Sequence, residues 1–344
     1  MRTNSLISGI GTAVLAGLAI ERRRRELQAV APELRHGGLW VPTPITNAVE
    51  LAVTRRIRAR QEHNAPAVPC VRLRADTGAA PPVDLLRFDP PEPTQPGGEA
   101  APTGAVLWIH GGGLLVGSPE RTAPFAAELA ADLGVPVFCN RYRLAPEHPY
   151  PAAIDDCFTA LQWLHVQADE LGIDRQRIVI GGHSAGGGLA AVLAQRADDA
   201  ELPVAQQTLV YPMLDERTGF GDQVGQRGRI GWDAASNRYG WSSYLGHQPI
   251  VADRPWAAAR RRKDLSGLPP TWIGVGDLDL FHDEDLEYAQ RLRRAGVPTE
   301  LVVVPGMYHA AERDVPDAPS MIDFTSRMRA NMRRALSGSA TGGQ

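Results

Sequence analysis

The stretch Arg177-Ile178-Val179-Ile180-Gly181-Gly182-His183-Ser184-Ala185-Gly186-Gly187-Gly188-Leu189-Ala190 decides the fold. Three β-branched residues run into a glycine pair, a serine follows after His183, and three more glycines lead into Ala, Leu and Val at helical spacing. That order reads as a buried strand, an abrupt turn and a helix. Gly182-His183-Ser184-Ala185-Gly186 fits G-x-S-x-G, the nucleophile elbow. There the serine takes a strained backbone position, and the glycines let strand and helix approach closely enough to expose its hydroxyl. The helix that follows aims its N-terminal amides at the same point, which suits a developing oxyanion. A rival reading uses Gly186, Gly188 and Ala191, which satisfy the G-x-G-x-x-A dinucleotide fingerprint. It needs an acid at the end of the next strand to hold a ribose, and Gln206-Gln207-Thr208-Leu209-Val210-Tyr211 has none.

At 344 residues the chain has room for one large α/β domain with additions. Its net charge of −3 argues against electrostatic binding to nucleic acid or to acidic membranes. Its basic residues are arginine apart from Lys263, which reads as genomic base composition rather than function. Cys70, Cys139 and Cys157 are odd in number and scattered, arguing against a disulfide framework or a zinc site and for a reducing, cytoplasmic setting. Leu6 to Ile20 is uncharged and is followed at once by Glu21 and four arginines. It is short for a bilayer span and poor as a signal peptide, so the expectation is a buried or surface-lying helix, with membrane association the less favoured alternative.

Residues 1–64 read as an N-terminal helical cap segment without strands; Ile45 to Arg60 places apolar residues on one face and arginines on the other. Residues 65–344 read as the catalytic domain. Val68 to Leu73 and Val83 to Phe88 are expected to form an edge hairpin, and Pro90 to Thr103 is a Pro/Gly/Glu-rich linker. From Ala105 onward strands and helices alternate, the signature of a parallel sheet covered on both faces. Strands are expected at Ala105–Ile109, Val135–Cys139, the elbow, Gln206–Tyr211, Thr271–Val275 and Glu300–Val304, with helices at Pro124–Leu133, Ile154–Leu171 and Leu286–Ala295. Residues 215–249, rich in Gly, Trp and Tyr, are too long for an ordinary connection and read as an excursion that contributes to a lid.

The first parallel strand ends in His110-Gly111-Gly112-Gly113, where consecutive glycines let backbone N–H groups turn toward a ligand, as an oxyanion hole requires. A serine hydrolase of this topology needs an acid and then a histidine after the elbow. Asp283, Glu284 and Asp285 stand where a helix begins and are accounted for by capping, which leaves Asp277 and Asp279. Of the histidines beyond them, His282 is too near the acids, whereas His309 occupies the turn after the last strand.

The His110-Gly-Gly-Gly loop, Arg141-Tyr142-Arg143-Leu144-Ala145-Pro146-Glu147-His148-Pro149, the elbow, Asp279-Leu280-Phe281-His282-Asp283-Glu284 and Pro305-Gly306-Met307-Tyr308-His309 together resemble the bacterial hormone-sensitive-lipase-like carboxylesterases, over about residues 68 to 310. The resemblance implies an α/β-hydrolase fold, an N-terminal helical cap, and Asp279 rather than Asp277 as the acid. The chain departs from the family pattern at His183, Leu114, Arg141 and Ala310-Ala311, none of which removes a catalytic group.

The expected chemistry is acyl transfer to water. Ser184 attacks an ester carbonyl, His309 takes its proton, and Asp279 orients the imidazole. The amides of Gly111, Gly112, Gly113 and Ala185 would hold the oxyanion, and His110 would fix the glycine loop. No metal or organic cofactor is required. The expected partner is a small-molecule ester; an amidase, an acyltransferase or a non-catalytic receptor would be the other uses of the same fold, and a homodimer is compatible with the sequence. An apolar cap formed by residues 1–64 and 215–249 would favour short to medium acyl chains and exclude bulky polar acids.

Overall fold

Every side chain from Ala105 to Ile109 is buried, yet alternate ones go to opposite sides. Leu107 and Ile109 join one apolar layer, Val106 and Trp108 the other. That is what a strand covered on both faces requires, since successive side chains point to opposite sides of a sheet. The structure, a computed structural model, describes residues 17–65, 67–91, 102–220, 227–247 and 254–337.

Eight strands form one sheet: β1 (Val71–Ala75), β2 (Val83–Phe88), β3 (Thr103–Ile109), β4 (Val137–Asn140), β5 (Ile173–His183), β6 (Gln206–Val210), β7 (Thr271–Gly276) and β8 (Thr299–Val304). Their order is β1-β2-β4-β3-β5-β6-β7-β8. β2 runs antiparallel to both neighbours, and from β4 onward all pairings are parallel. The edge hairpin and the six parallel strands are where the sequence puts them, within a few residues.

The helices divide between the faces. The helices are α1 (17–28), α2 (Ala48–Asn64), α3 (Pro119–Leu133), α4 (Ala152–Val166), α5 (Ala168–Leu171), α6 (Ala185–Asp199), α7 (Ala234–Leu245), α8 (His282–Arg294), α9 (Ala311–Asp314) and α10 (Pro319–Leu336). Ile154 and Leu161 of α4, Leu189 and Leu193 of α6 and Leu292 of α8 share one layer with Leu107 and Ile180. Leu129 of α3 and Met321, Phe324, Met328 and Met332 of α10 share the other with Trp108 and Trp272.

Several boundaries differ from expectation. The helix expected over Ile154–Leu171 is two, parted at Gln167. α3 starts earlier than Pro124 because Ser118 caps it, accepting from the Arg121 amide at 3.3 Å. Residues 215–249 hold α7, N-capped by Asp233. α10 is an element the sequence reading did not anticipate. Of Leu6–Ile20 only the last four residues are described, and most of the Pro90–Thr103 linker likewise falls outside the described residues. Among the described residues no helix is long and apolar enough to cross a membrane.

α2 reverses its expected orientation. Leu51 is its one buried residue, while Val49 and Ile57 are 73% and 53% exposed. Two of its arginines, Arg55 and Arg58, face the protein while Arg56 and Arg60 stay exposed: Arg55 donates to the carbonyls of Leu115 and Ala145 at 3.0 and 2.8 Å and pairs with Glu147 at 2.6 Å. Carbonyls at the ends of the core's loops recruit guanidinium groups more strongly than the core recruits Val or Ile, because an unpaired buried acceptor is costly.

The close approach of α6 to β3 depends on Gly186. A Cβ there would lie 2.2 Å from the Ile109 carbonyl oxygen, a clash with backbone that no rotamer relieves. Gly186→Ala is therefore expected to cost about 3 kcal/mol or more in chemical denaturation. Gly37, with nothing near its Cβ position, should accept alanine within about 0.5 kcal/mol. Equal effects at the two sites would overturn this account of the elbow.

Candidate active site

β5 delivers the chain to Ser184, which adopts φ 56° and ψ −121°, a conformation L-residues rarely take. It is held there from both sides. The Ser184 amide donates to the Val210 carbonyl at 2.8 Å, and the Ser184 carbonyl accepts from the amides of Gly188 and Met213 at 2.9 and 3.1 Å. Strain of this kind persists where surrounding bonds over-determine it.

The result is a hydroxyl aimed at His309. Ser184 Oγ lies 3.0 Å from His309 Nε2, and His309 Nδ1 lies 2.8 Å from Asp279 Oδ2. A carboxylate only accepts, so Nδ1 carries the proton and Nε2 is free to accept from the serine. Asp279 is fully buried, and its other oxygen accepts from the Phe281 amide at 2.9 Å. Tyr211 and Phe281 flank the imidazole, with ring centroids 4.6 and 5.4 Å away.

The neighbouring acids and histidine do other work. Asp277 Oδ1 accepts from the Gly306 amide at 2.7 Å, tying the acid loop to the turn that carries His309. His282 Nδ1 sits 2.8 Å from Asp283 Oδ1. Asp283, Glu284 and Asp285 occupy the first turn of α8, where the helix dipole favours them, but none of them caps it, and Glu284 and Asp285 are buried. Glu284 accepts from the Leu214 amide at 2.7 Å, and burial pushes its carboxyl well above the usual range.

Gly111, Gly112 and Gly113 line the same cleft as Ser184. Gly112, at φ 130°, has the Val116 carbonyl oxygen 1.9 Å from where a Cβ would stand, so the loop folds tightly back on itself. His110 supports it: Nδ1 donates to the Gly111 carbonyl at 3.0 Å, and the ring stacks on Tyr142 at 4.1 Å. Burial lowers the His110 imidazole to about 4, which keeps it neutral and uninvolved in proton traffic near pH 7. Ala185 is the first residue of α6, where the amide has no intrahelical acceptor.

Behind the serine lies a polar chain that the sequence reading did not anticipate. The Trp108 indole N–H donates to His183 Nδ1 at 3.1 Å, leaving the Nε2 proton facing Glu312 Oε1 at 3.8 Å. The Tyr211 hydroxyl donates to the same Glu312 oxygen. His183 is thus turned to Trp108 and Glu312, and burial holds its imidazole well below its ordinary pKa.

The cleft has a volume of about 420 Å³. Besides the groups above it is walled by Gly231 and Trp232 of the 215–249 excursion and by Arg58, Arg121 and Arg313. An apolar wall was the expectation; three guanidinium groups stand there instead. They escape a sequence reading because an arginine on a helix face is ordinarily solvated, and only the fold shows three separate helices converging.

Residues 106–313 match the family described as alpha/beta hydrolase fold. The chain is 36% identical to an ethyl acetate hydrolase of Pseudomonas putida over 69% of its length and 73% of that protein. It is 37% identical to carboxylesterase NlhH of Mycobacterium tuberculosis, over 67% of this chain and 73% of that one. Among solved structures, a bacterial heroin esterase superposes with a TM-score of 0.79 at 34% identity, covering 90% of this chain and 99% of that one. A mostly parallel sheet with a strained serine at its elbow, followed in chain order by a buried acid and a histidine, and relatives of this kind leave one assignment: the chain belongs to the α/β-hydrolase-fold family, as one of its hormone-sensitive-lipase-like carboxylic ester hydrolases.

Proposed function

We propose that Ser184, His309 and Asp279 act as nucleophile, general base and orienting acid in the hydrolysis of a carboxylic ester. One observation carries this reading: the unbroken chain of 3.0 and 2.8 Å contacts from the Ser184 hydroxyl through His309 to the buried Asp279. As Oγ attacks the ester carbonyl, its proton passes to His309 Nε2 and the carbonyl oxygen takes up negative charge. The amides of Gly111, Gly112, Gly113 and Ala185 receive that charge. The imidazolium then gives its proton to the leaving alkoxide. Water, deprotonated by the same nitrogen, cleaves the acyl-enzyme and restores the serine.

Residues 1–64 and 215–249 are proposed as the cap over this site. The Arg55 contacts to Leu115 and Ala145 support it, as do Gly231 and Trp232 in the cleft wall. A cleft of this size suits a small ester with a short to medium acyl chain.

Ser184→Ala is expected to lower ester turnover by on the order of 10³-fold or more with an unchanged circular dichroism spectrum. A folded variant with near-normal turnover would sink the assignment.

The two aspartates should separate. Asp279→Asn leaves His309 in the wrong tautomer and should lower kcat by about 10⁴-fold. Asp277→Asn keeps an oxygen for the Gly306 amide, so its effect should stay within about tenfold. The opposite ranking would transfer the role to Asp277.

Arg55→Ala, which cuts α2 from Leu115 and Ala145, should reduce kcat/KM by about 10-fold or more through misplacement of the wall and loop. An unchanged kcat/KM would detach α2 from the site.

A further inference from the structure

Three elements bring positive charge to one cleft. Arg58 comes from α2, Arg121 from α3 and Arg313 from α9, and all three line the space in front of Ser184. Arginines elsewhere are commonly matched with acid, Arg143 with Asp156, Arg196 with Asp155 and Arg262 with Asp198 and Asp199, or with backbone carbonyls, as Arg35 and Arg291 are. The cleft is different. Arg121 Nη1 donates to the neutral amide oxygen of Gln61 at 3.1 Å. Arg58 and Arg313 make no side-chain hydrogen bond or ion pair among the described residues.

The acids nearby are engaged elsewhere. Asp314 lines the same cleft, but it accepts from the Tyr308 hydroxyl at 3.2 Å and faces His36 at 3.6 Å. Glu62, one turn beyond Arg58, accepts from the Ser118 hydroxyl at 2.9 Å, and its charge partly offsets those of Arg58 and Arg121 without a direct ion pair to either. Three guanidinium groups therefore share a partly enclosed space lined by one carboxylate, Asp314, with Glu62 close behind two of them. Burial, with the charges of Arg121 and Arg313, pushes the Arg58 guanidinium down to about 10 despite the opposing charge of Glu62.

Like charges gathered in a cleft cost stability, and the cost is relieved when an anion enters. A planar guanidinium offers paired N–H groups that match the two oxygens of a carboxylate, and three of them from different directions fix such a group in place. We infer that the ester this enzyme is built for carries a second, negatively charged carboxylate, held by Arg58 and Arg313 with Arg121 beside them, while the ester carbonyl meets Ser184. The inference rests on the ester-hydrolase reading above and names its substrate class: an acidic ester, not the uncharged one an apolar cap would select.

The test uses the full chain and two matched pairs of esters. The 4-nitrophenyl monoester of glutaric acid is set against 4-nitrophenyl valerate, and 4-acetoxybenzoate against its methyl ester, so that the charge lies on the acyl side in one pair and on the alcohol side in the other. At low ionic strength at least one charged ester should show a kcat/KM about tenfold or more above its neutral partner, mainly through KM. That ratio should fall about tenfold in Arg58→Gln and in Arg313→Gln, and it should fall in 0.5 M salt. Turnover of the neutral esters by the variants reports that they are folded. Neutral esters turned over as well as or better than both charged ones, or a ratio that neither substitution moves, would overturn the inference alone. Failure to hydrolyse any of the four would overturn the esterase reading and the inference with it.

Discussion

The backbone of Ser184 is the constraint on which the rest depends. Its positive φ is tolerable only because amides and carbonyls on β6, α6 and the chain after β6 hold it from both sides. In turn α6 must start immediately, with no side chain at Gly186 to keep it from the Ile109 carbonyl. The tight start puts the Ala185 amide and the serine hydroxyl at the same end of the sheet. Lengthening that turn by one residue would satisfy the backbone and separate the groups.

Other loops converge on that point through bonds between them rather than through shared secondary structure. Asp277 holds the Gly306 turn, so the acid loop and the histidine loop are set relative to each other before Asp279 and His309 meet. His110 and Tyr142 hold the glycine loop from below, the Tyr142 hydroxyl donating to the His110 carbonyl at 3.0 Å. The polar chain from Trp108 through His183 to Glu312 and Tyr211 links the floor of the site to α9. His110, Tyr142, His183, Glu312 and Tyr211 are buried and Asp277 half-buried, each with a partner that fixes its place.

How legible this was in the sequence depended on the range of the interaction. Period-two burial, glycine runs and chain order are local signals, and they suffice for the sheet, the elbow and the pairing of Ser184 with His309. Asp277 and Asp279 differ by two residues and share a loop; residue-level reasoning could not part them, and the family resemblance did. The sequence of α2 predicts its arginines outward, because a solvated charged face is the ordinary outcome. The carbonyls of Leu115 and Ala145, distant in sequence, reverse it. Arg58, Arg121 and Arg313 are unremarkable in a chain whose basic residues are nearly all arginine. α10 hides its stripe of Met and Phe among arginines for the same reason.

α2 carries Arg58 into the cleft and, three residues earlier, grips through Arg55 the stretch just beyond the glycine loop. In the proposed reaction, the part that selects the substrate and the part that receives the oxyanion are therefore joined through α2. A shift of α2 that widens the wall for a larger molecule also drags Leu115, and with it the loop that starts at His110. For the acidic ester proposed above, selectivity and turnover are tied through α2: a change of substrate either re-seats the glycine loop in the same step or leaves α2 in place and alters only the guanidinium groups it carries.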